Sequence, residues 1–260
     1  MITRLTRLLF GKDRKAPRRP RVDLGAMPSA LYVIGDVHGC LDQLVRLEKR
    51  IVEDAAGIPN GKVIIMLGDY VDRGPSSAAV LDHLLQPPPG RFRRLCLAGN
   101  HEVMMLAHAE KPSLPSDWLV NGGDETLTSY GISPDRYVAA SMRLRGQILA
   151  SHIPSAHIDF LATLPVIITM PGYVFAHAGI QPGVPVERQE EEDLLWMRHD
   201  PAAVWSGEGP TLVHGHTLVP EPLVLPGRIA VDTGCFATGV LTALRLVAGE
   251  EPRFLSVGPR

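Results

Sequence analysis

Cysteine is scarce, and what is missing around it removes several chemistries at once. Three occur in 260 residues, Cys40, Cys96 and Cys235, an odd number, far apart and in no C-x-x-C spacing. That pattern argues against a disulfide framework and for reduced thiols in a cytoplasmic chain, each filling a small apolar space. None stands in a phosphate-loop C-x5-R context, so no cysteine nucleophile is expected. No apolar run approaches the roughly 20 residues that span a bilayer, so no transmembrane segment is expected. The opening stretch MITRLTRLLFGKDRK has no long apolar core and no small-residue cleavage site, which argues against a secretory signal. Internal repeats and long low-complexity segments are missing as well. What remains is 45% hydrophobic with a mean hydropathy of +0.06, the balance of a soluble globular protein.

The net charge of −2 conceals an asymmetry. Residues 1–21 hold eight basic side chains (Arg4, Arg7, Lys12, Arg14, Lys15, Arg18, Arg19 and Arg21) against Asp13, a local charge of +7. The rest carries 18 basic and 27 acidic residues, or −9. Residues 1–28, punctuated by Pro17, Pro20 and Pro28, read as a basic flexible tail able to contact an acidic partner or an anionic surface. Residues 29–260 suffice for one substantial catalytic domain.

The apolar run Val63-Ile64-Ile65-Met66-Leu67 stops at Gly68 and hands over to Asp69, Asp72 and Arg73. Such a run is a buried strand delivering charge at its C-terminal end, the edge where open α/β sheets bind ligands. The design recurs. Leu31–Ile34 precedes Gly35-Asp36-Val37-His38-Gly39, and 91–98 precedes Gly99-Asn100-His101-Glu102. Tyr173–Ala176 precedes His177, and 211–213 precedes His214 and His216. Apolar positions 41, 44, 45, 47 and 51 mark an amphipathic helix after the first loop. A second helix runs from a cap at Ser76 or Ser77 to about Leu85, with Val80, Leu81, Leu84 and Leu85 inward. This β-α alternation predicts a parallel sheet with its ligand loops on one edge. Residues 103–165 read differently, as helical pieces broken by Pro112, Pro115, Gly122-Gly123 and Pro154, an insertion that covers the site as a lid. Further strands are expected at 228–231 and 240–247. The fold class is α/β (α+β), a mixed β-sandwich flanked by helices.

Asp36 and His38, one residue apart in an extended segment, can point the same way. An oxygen and a nitrogen donor of this kind suit manganese, iron or zinc better than calcium or magnesium. A carboxylate such as Asp69 can bridge two hard cations, and the guanidinium of Arg73 offers a planar fork for phosphate oxygens. Any one of these histidines alone would be an ordinary structural residue. The coincidence of such histidine and carboxylate groups at five strand ends points to one metal-phosphate site.

Gly35-Asp36-Val37-His38-Gly39, Gly68-Asp69-Tyr70-Val71-Asp72-Arg73-Gly74 and Gly99-Asn100-His101-Glu102, in this order, resemble the signature of the calcineurin-like metallophosphoesterases. His177-Ala178-Gly179 and Gly215-His216-Thr217 resemble the family's two later histidine motifs. The nearest branch is the phosphoprotein phosphatases, with the lambda-type Ser/Thr phosphatases of bacteria and phage and the symmetrical diadenosine tetraphosphate hydrolases. The resemblance covers about residues 31–245 and implies the four-layer αββα architecture of that family. It also implies two divalent cations, manganese first and iron or zinc next, bridged by Asp69. Asp36 and His38 would complete one site, and Asn100, His177 and His216 the other. His101 would be the general acid, oriented by Asp72, while Arg73 and Arg198, with Asn100 and His101, would bind the phosphoryl group. His214 would be a neighbour of the site, and Asp232, which also falls in a family motif, would be structural.

The implied reaction is direct attack by metal-bound hydroxide on a phosphoester. A protein serine/threonine phosphatase is the first reading, because Val71-Asp72-Arg73-Gly74, the terminal Glu102 and Trp118-x-x-x-Gly122-Gly123 match that branch. A symmetrical dinucleoside polyphosphate hydrolase is the alternative, because Gly35–Cys40 and Asp232-Thr233-Gly234-Cys235 resemble the nucleotide enzymes. A non-catalytic docking protein is the third reading, disfavoured because every ligand and the acid are present.

Overall fold

A strand such as Ala30–Ile34 has no polar face, and a strand of that kind is stable only with apolar cover on both sides. The computed structural model, which describes residues 18–198 and 209–259, supplies that cover with two stacked sheets. In one, β2 (Ala30–Ile34), β3 (Lys62–Met66) and β4 (Arg93–Cys96) run parallel. On the far side of β2 lie β10 (Leu241–Leu246) and β11 (Arg253–Val257), both antiparallel to their neighbours. The other sheet contains β1 (Arg21–Asp23), β5 (Ile167–Met170), β6 (Tyr173–Ala176), β7 (Thr211–His214), β8 (Leu223–Leu225) and β9 (Arg228–Ala230). Its order is β1-β5-β6-β7-β9-β8.

Period-two alternation divides each strand between two apolar layers. Leu31 and Val33 of β2 and Ile65 of β3 meet Ile168, Phe175, Val213 and Ile229 of the facing sheet. Their alternates Tyr32, Ile34, Ile64, Met66, Val174 and Leu212 face outward into the helix-covered core. Two sheets with helices outside them are the mixed sandwich expected from the sequence.

Helix α1 (Leu41–Asp54) follows β2, and α2 (Ser77–Leu85) follows β3. Between β4 and β5 the chain forms α3 (Asn100–Glu110), a π-turn (Leu119–Gly123), α4 (Asp124–Ser129), α5 (Pro134–Ala139), α6 (Met142–His152) and α7 (Ser155–Thr163). Two short helices, α8 (Glu191–Trp196) and α9 (Cys235–Thr238), complete the set among the described residues.

The sequence reading is displaced in four places. Val45 and Leu85 are exposed rather than inward. On α1 the buried face instead includes Glu48, whose carboxylate accepts from Arg94 Nη2 at 2.7 Å and pairs with His83 Nε2 at 2.6 Å. Neither serine caps α2 with its side chain: Ser77 Oγ accepts the N–H of Asp72. The third strand is only Arg93–Cys96, because Pro89–Arg91 forms a 3-10 turn. The folded chain begins before Ser29, since β1 pairs in parallel with β5, Arg21 opposite Ile167. Arg19 and Arg21, counted in the basic tail, donate instead to the carbonyls of Leu161 and Leu164 and of Val186 and Gln189. Residues 1–17 of that tail lie outside the described residues.

Candidate metal centre

The C-terminal ends of the strands converge. β2 hands over to Asp36 and His38, β3 to Asp69, Asp72 and Arg73, and β4 to Asn100 and His101 at the start of α3. The facing sheet contributes His177 after β6, and β7 ends in His214 with His216 two residues on. Most of these side chains are buried; Arg73 and His216 are half-buried and Arg198 is exposed.

Backbone bending makes the convergence possible. Among the described residues, six other than glycine have positive φ, and five belong to this site: His38 (43°), Asp69 (51°), Asp72 (72°), Arg73 (66°) and His216 (58°). Each such conformation costs on the order of 1–3 kcal/mol and persists only where neighbours enforce it. For Asp69 the enforcer is Glu102 on α3. Its buried carboxylate accepts the N–H groups of Gly99 (2.8 Å), Asp69 (2.8 Å) and Tyr70 (2.7 Å), with Val71 at 3.4 Å. Glycine permits the close approaches. A Cβ on Gly99 would overlap Asp69 Oδ1, and one on Gly215 would overlap Asp36 Oδ1.

Hydrogen bonds set the imidazole tautomers. His177 Nδ1–H donates to the Leu67 carbonyl at 3.0 Å, which turns its Nε2 lone pair inward. Around that nitrogen stand Asn100 Oδ1 at 2.9 Å, His216 Nδ1 at 3.2 Å and Asp69 Oδ1 at 3.4 Å. His38 Nδ1–H donates to the Val71 carbonyl at 2.8 Å, and its Nε2 lies 3.4 Å from Asp69 Oδ2 and 3.0 Å from Arg73 Nη1. Asp69 thus divides its two oxygens between two histidine groups. Among the described residues, potential ligand atoms within 4.8 Å of one another form two sets, His38-Asp69-His101 and Asp69-His177-His216.

These residues fit a pair of divalent cations. Asp36 Oδ1 and His216 Nε2 are buried with no hydrogen-bond partner, an expensive condition that a cation would relieve. Burial pushes His38 and His216 down to about 3 and lowers His177, which keeps the imidazoles in the neutral, ligating form. Burial also acts to raise Asp69, but His177, His101, His38 and His216 outweigh it and hold the carboxyl well below the usual range. Asp36 is raised by burial and by the nearby Asp232 and Asp69. It stands outside both ligand sets, its Oδ2 accepting the N–H of His216 at 3.0 Å.

His101 differs from the other imidazoles. Burial lowers its affinity for a proton, yet Asp69 and Asp72 outweigh burial and raise it. Its Nδ1–H donates to Asp72 Oδ2 at 2.7 Å, while Nε2 lies 3.8 Å from Asp69 Oδ2. Asp72 itself is raised by burial, against the pull of His101. Arg198 adds positive charge that disfavours protonation of His216. His214 Nδ1 contacts the Gly215 carbonyl at 3.0 Å, and Asp232 Oδ1 accepts from the Gly234 N–H at 2.9 Å. Cys40 and Arg46 do stand at C-x5-R spacing, but the residues between them are the first turns of α1, and Arg46 binds Asp42 and the Gly258 carbonyl.

Four residues of this arrangement carry no role in the sequence reading. Glu102 fixes the Asp69 loop, and Phe236 lies 4.8 Å under the Arg73 guanidinium and 5.3 Å from the His38 ring. Trp118 and Thr126 of the insertion both donate to Asp72 Oδ1, at 2.9 and 2.7 Å. The glycines and the Trp118-x-x-x-Gly122-Gly123 stretch were the available signal, since they mark close approach without naming the partner.

Comparison with known proteins places this geometry. The family of calcineurin-like phosphoesterases matches residues 30–232. The bis(5'-nucleosyl)-tetraphosphatase PrpE [asymmetrical] of Anoxybacillus flavithermus is 28% identical over 232 residues, covering 82% of this chain and 89% of that protein. The serine/threonine-protein phosphatase 1 of Salmonella typhimurium is 27% identical over 227 residues, covering 83% and 91%. Among solved structures, a crystal structure described as a candidate diadenosine tetraphosphatase superposes with a TM-score of 0.64 at 23% identity, covering 92% of this chain and 98% of that one.

Proposed function

The chain belongs to the calcineurin-like phosphoesterase family, and from that membership we propose that it hydrolyses the phosphoanhydride chain of dinucleoside polyphosphates of the diadenosine tetraphosphate type. The observation that carries the chemistry is the convergence of buried donor atoms around Asp69 from both sheets. The choice of substrate reverses the order drawn from the sequence. It rests on the long match to a nucleosyl-tetraphosphatase, and Phe236 supports it by setting an aromatic face beside Arg73. The relative's asymmetrical specificity gives no support to the symmetrical cleavage expected from the motifs.

In this reading Asp36, His38 and Asp69 would hold one divalent cation, and Asp69, Asn100, His177 and His216 would hold a second. Ions bound there would supply Lewis acidity, offsetting phosphate charge and lowering the pKa of water toward neutrality. Manganese suits the mixed oxygen and imidazole donors, with iron and zinc next. Arg73 and Arg198, with Asn100 and His101, bind the phosphoryl oxygens, and the planar guanidinium meets charge as it spreads over them. His101, held by Asp72, gives a proton from Nε2 to the leaving oxygen. The free thiols Cys40, Cys96 and Cys235 suit a reducing, cytoplasmic setting. No helix among the described residues is long and apolar enough to cross a membrane.

A second reading has its own support. The Asp72–His101 pair is worth most where the leaving group is an alkoxide, as in phosphoserine or phosphothreonine, and one relative is a serine/threonine phosphatase. The discriminating assay compares kcat/KM of the manganese-loaded protein for diadenosine tetraphosphate, a phosphothreonine peptide and a phosphotyrosine peptide. Preference for the dinucleotide is expected. Preference for a phosphopeptide would overturn it in favour of a protein phosphatase, and the nucleotides released report whether cleavage is symmetrical.

A further inference from the structure

Asp72 is fully buried, and its carboxylate has three side-chain partners. Oδ2 takes the Nδ1–H of His101. Oδ1 takes the indole N–H of Trp118 and the hydroxyl of Thr126, both from the helical insertion. Thr126 Oγ1 also accepts the backbone N–H of Asp72 at 2.9 Å, so it grips the residue at two points. The insertion is therefore joined to the core beneath the His101 ring.

Local structure around Trp118 serves that joint. The chain widens into a π-turn at Leu119–Gly123, a distortion that recurs at functional sites. Gly122, at φ 100°, lets its carbonyl accept the Arg73 N–H at 3.1 Å, and a Cβ there would come within 2.8 Å of the Arg73 backbone nitrogen. Gly123 makes room for the indole, since a Cβ would lie 2.6 Å from the ring. The Trp-x-x-x-Gly-Gly stretch is explained residue by residue as a clamp.

We propose that Trp118 and Thr126 are positioning residues of the insertion that lock the Asp72 carboxylate and thereby aim His101 Nε2 at the leaving group. The insertion is on this account part of the catalytic apparatus as well as its cover. The proposal deepens the proton-donor reading of His101 and rests on it for its kinetic consequence. Without either donor, Asp72 Oδ1 is left under-satisfied in a dry pocket, and the carboxylate turns toward the remaining partner.

The test uses the full-length, manganese-loaded protein with Trp118→Phe, Thr126→Val and Thr126→Ser, each alone and with His101→Asn. Phenyl phosphate and p-nitrophenyl phosphate supply a poor and a good leaving group. Trp118→Phe and Thr126→Val are expected to lose roughly ten- to a hundredfold in kcat on phenyl phosphate, from the usual worth of a hydrogen bond to a charged group. KM and metal content stay unchanged, the loss on p-nitrophenyl phosphate is smaller, and Thr126→Ser keeps the activity. In the His101→Asn background the same substitutions cost nothing further. An equal cost in that background, or an equal loss on both esters where His101→Asn discriminates between them, would overturn the clamp. If His101→Asn itself falls equally on both esters, the proton-donor reading fails, and the clamp is decided by proton NMR of the zinc-loaded protein, whose diamagnetic ion leaves the signal sharp. The downfield Nδ1–H signal of His101, identified by its loss in His101→Asn, must move or broaden in Thr126→Val and not in Thr126→Ser. An unmoved signal refutes the clamp. Should Trp118→Phe fold poorly, the Thr126 pair alone carries the test.

Discussion

Replacing Glu102 with glutamine changes one atom and removes one charge, yet the hydrogen-bond geometry leaves the amide no good orientation. Oε2 accepts from Gly99 and Asp69, both at 2.8 Å, and Oε1 accepts from Tyr70 at 2.7 Å and Val71 at 3.4 Å. A carboxylate serves all four donors. A glutamine must turn its NH2 toward one pair, and the cheaper choice abandons Tyr70 and Val71. One well-made and one long buried N–H then lose their acceptor, at about 1–3 kcal/mol for the first and less for the second. Burial already pushes Glu102 up to about 7, with Asp69 adding to it, so the lost charge returns part of that cost. The net expectation is a destabilisation of about 1–3 kcal/mol. The larger effect falls on function, because the loosened segment contains Asp69 at φ 51° and the turn to Asp72. A displacement near 1 Å there is expected to cost roughly a hundredfold in kcat. Thermal unfolding in EDTA measures the first quantity. Turnover of bis-p-nitrophenyl phosphate and metal content after dialysis measure the second. A Glu102→Gln protein with wild-type metal content and kcat within a factor of about three would refute the reasoning, whatever its melting temperature.

Gly215→Ala puts a methyl group onto Asp36 Oδ1 without requiring a positive φ, so the fold should survive with a loss of about 1–3 kcal/mol while metal affinity falls at least tenfold. Calorimetric titration with Mn2+ is the check, and unchanged affinity would contradict the assignment of Asp36. His108 is buried in the insertion between Tyr137 and Ser116, and burial, with Arg145, pushes it down to about 4. Between its ordinary value and about 4 the unfolded chain binds a proton that the folded one refuses, so stability falls as pH drops through that window. His108→Gln should flatten the dependence of melting temperature on pH between 7 and 4.5, and an unchanged slope would sink the assignment. Deleting residues 1–17 removes most of the basic tail but spares Arg19, Arg21 and β1. Activity on small esters is expected to stay within about twofold, and a large fall in kcat would give the tail a part in turnover rather than docking.

The sequence makes the strand ends legible because a buried strand of a two-sided sheet has to be apolar throughout, and a polar residue just past its end then stands out. Asp36, Asp69, Asn100 and His177 were all visible in this way. Glu102, Trp118 and Thr126 were not, because their partners lie 33, 46 and 54 residues away and only folding brings them together. Edge strands such as Arg21–Asp23 and Leu223–Leu225 are three residues long, too short for alternation to register. Val45 and Glu48 exchange places because an ion pair can bury a carboxylate where hydropathy alone expects valine. The substrate was the least legible, since a centre built to hold a phosphoryl group reads little of what is attached to it.

The position of β2 has a consequence for how the protein is made. The strand is translated early, but one of its two neighbours is β10, which pairs Ile34 with Ala243 and Leu31 with Leu246. Until that C-terminal segment has left the ribosome, β2 exposes an unpaired edge. Leu31 and Val33 then lack part of their surroundings, since the interlayer core also contains Leu244 and Leu246. All the proposed metal ligands precede residue 217, so a nascent chain that stops there holds every one of them without the strand that completes the pairing of β2. A chain cut short before β10 would keep that edge of β2 exposed and be prone to stick to its own copies.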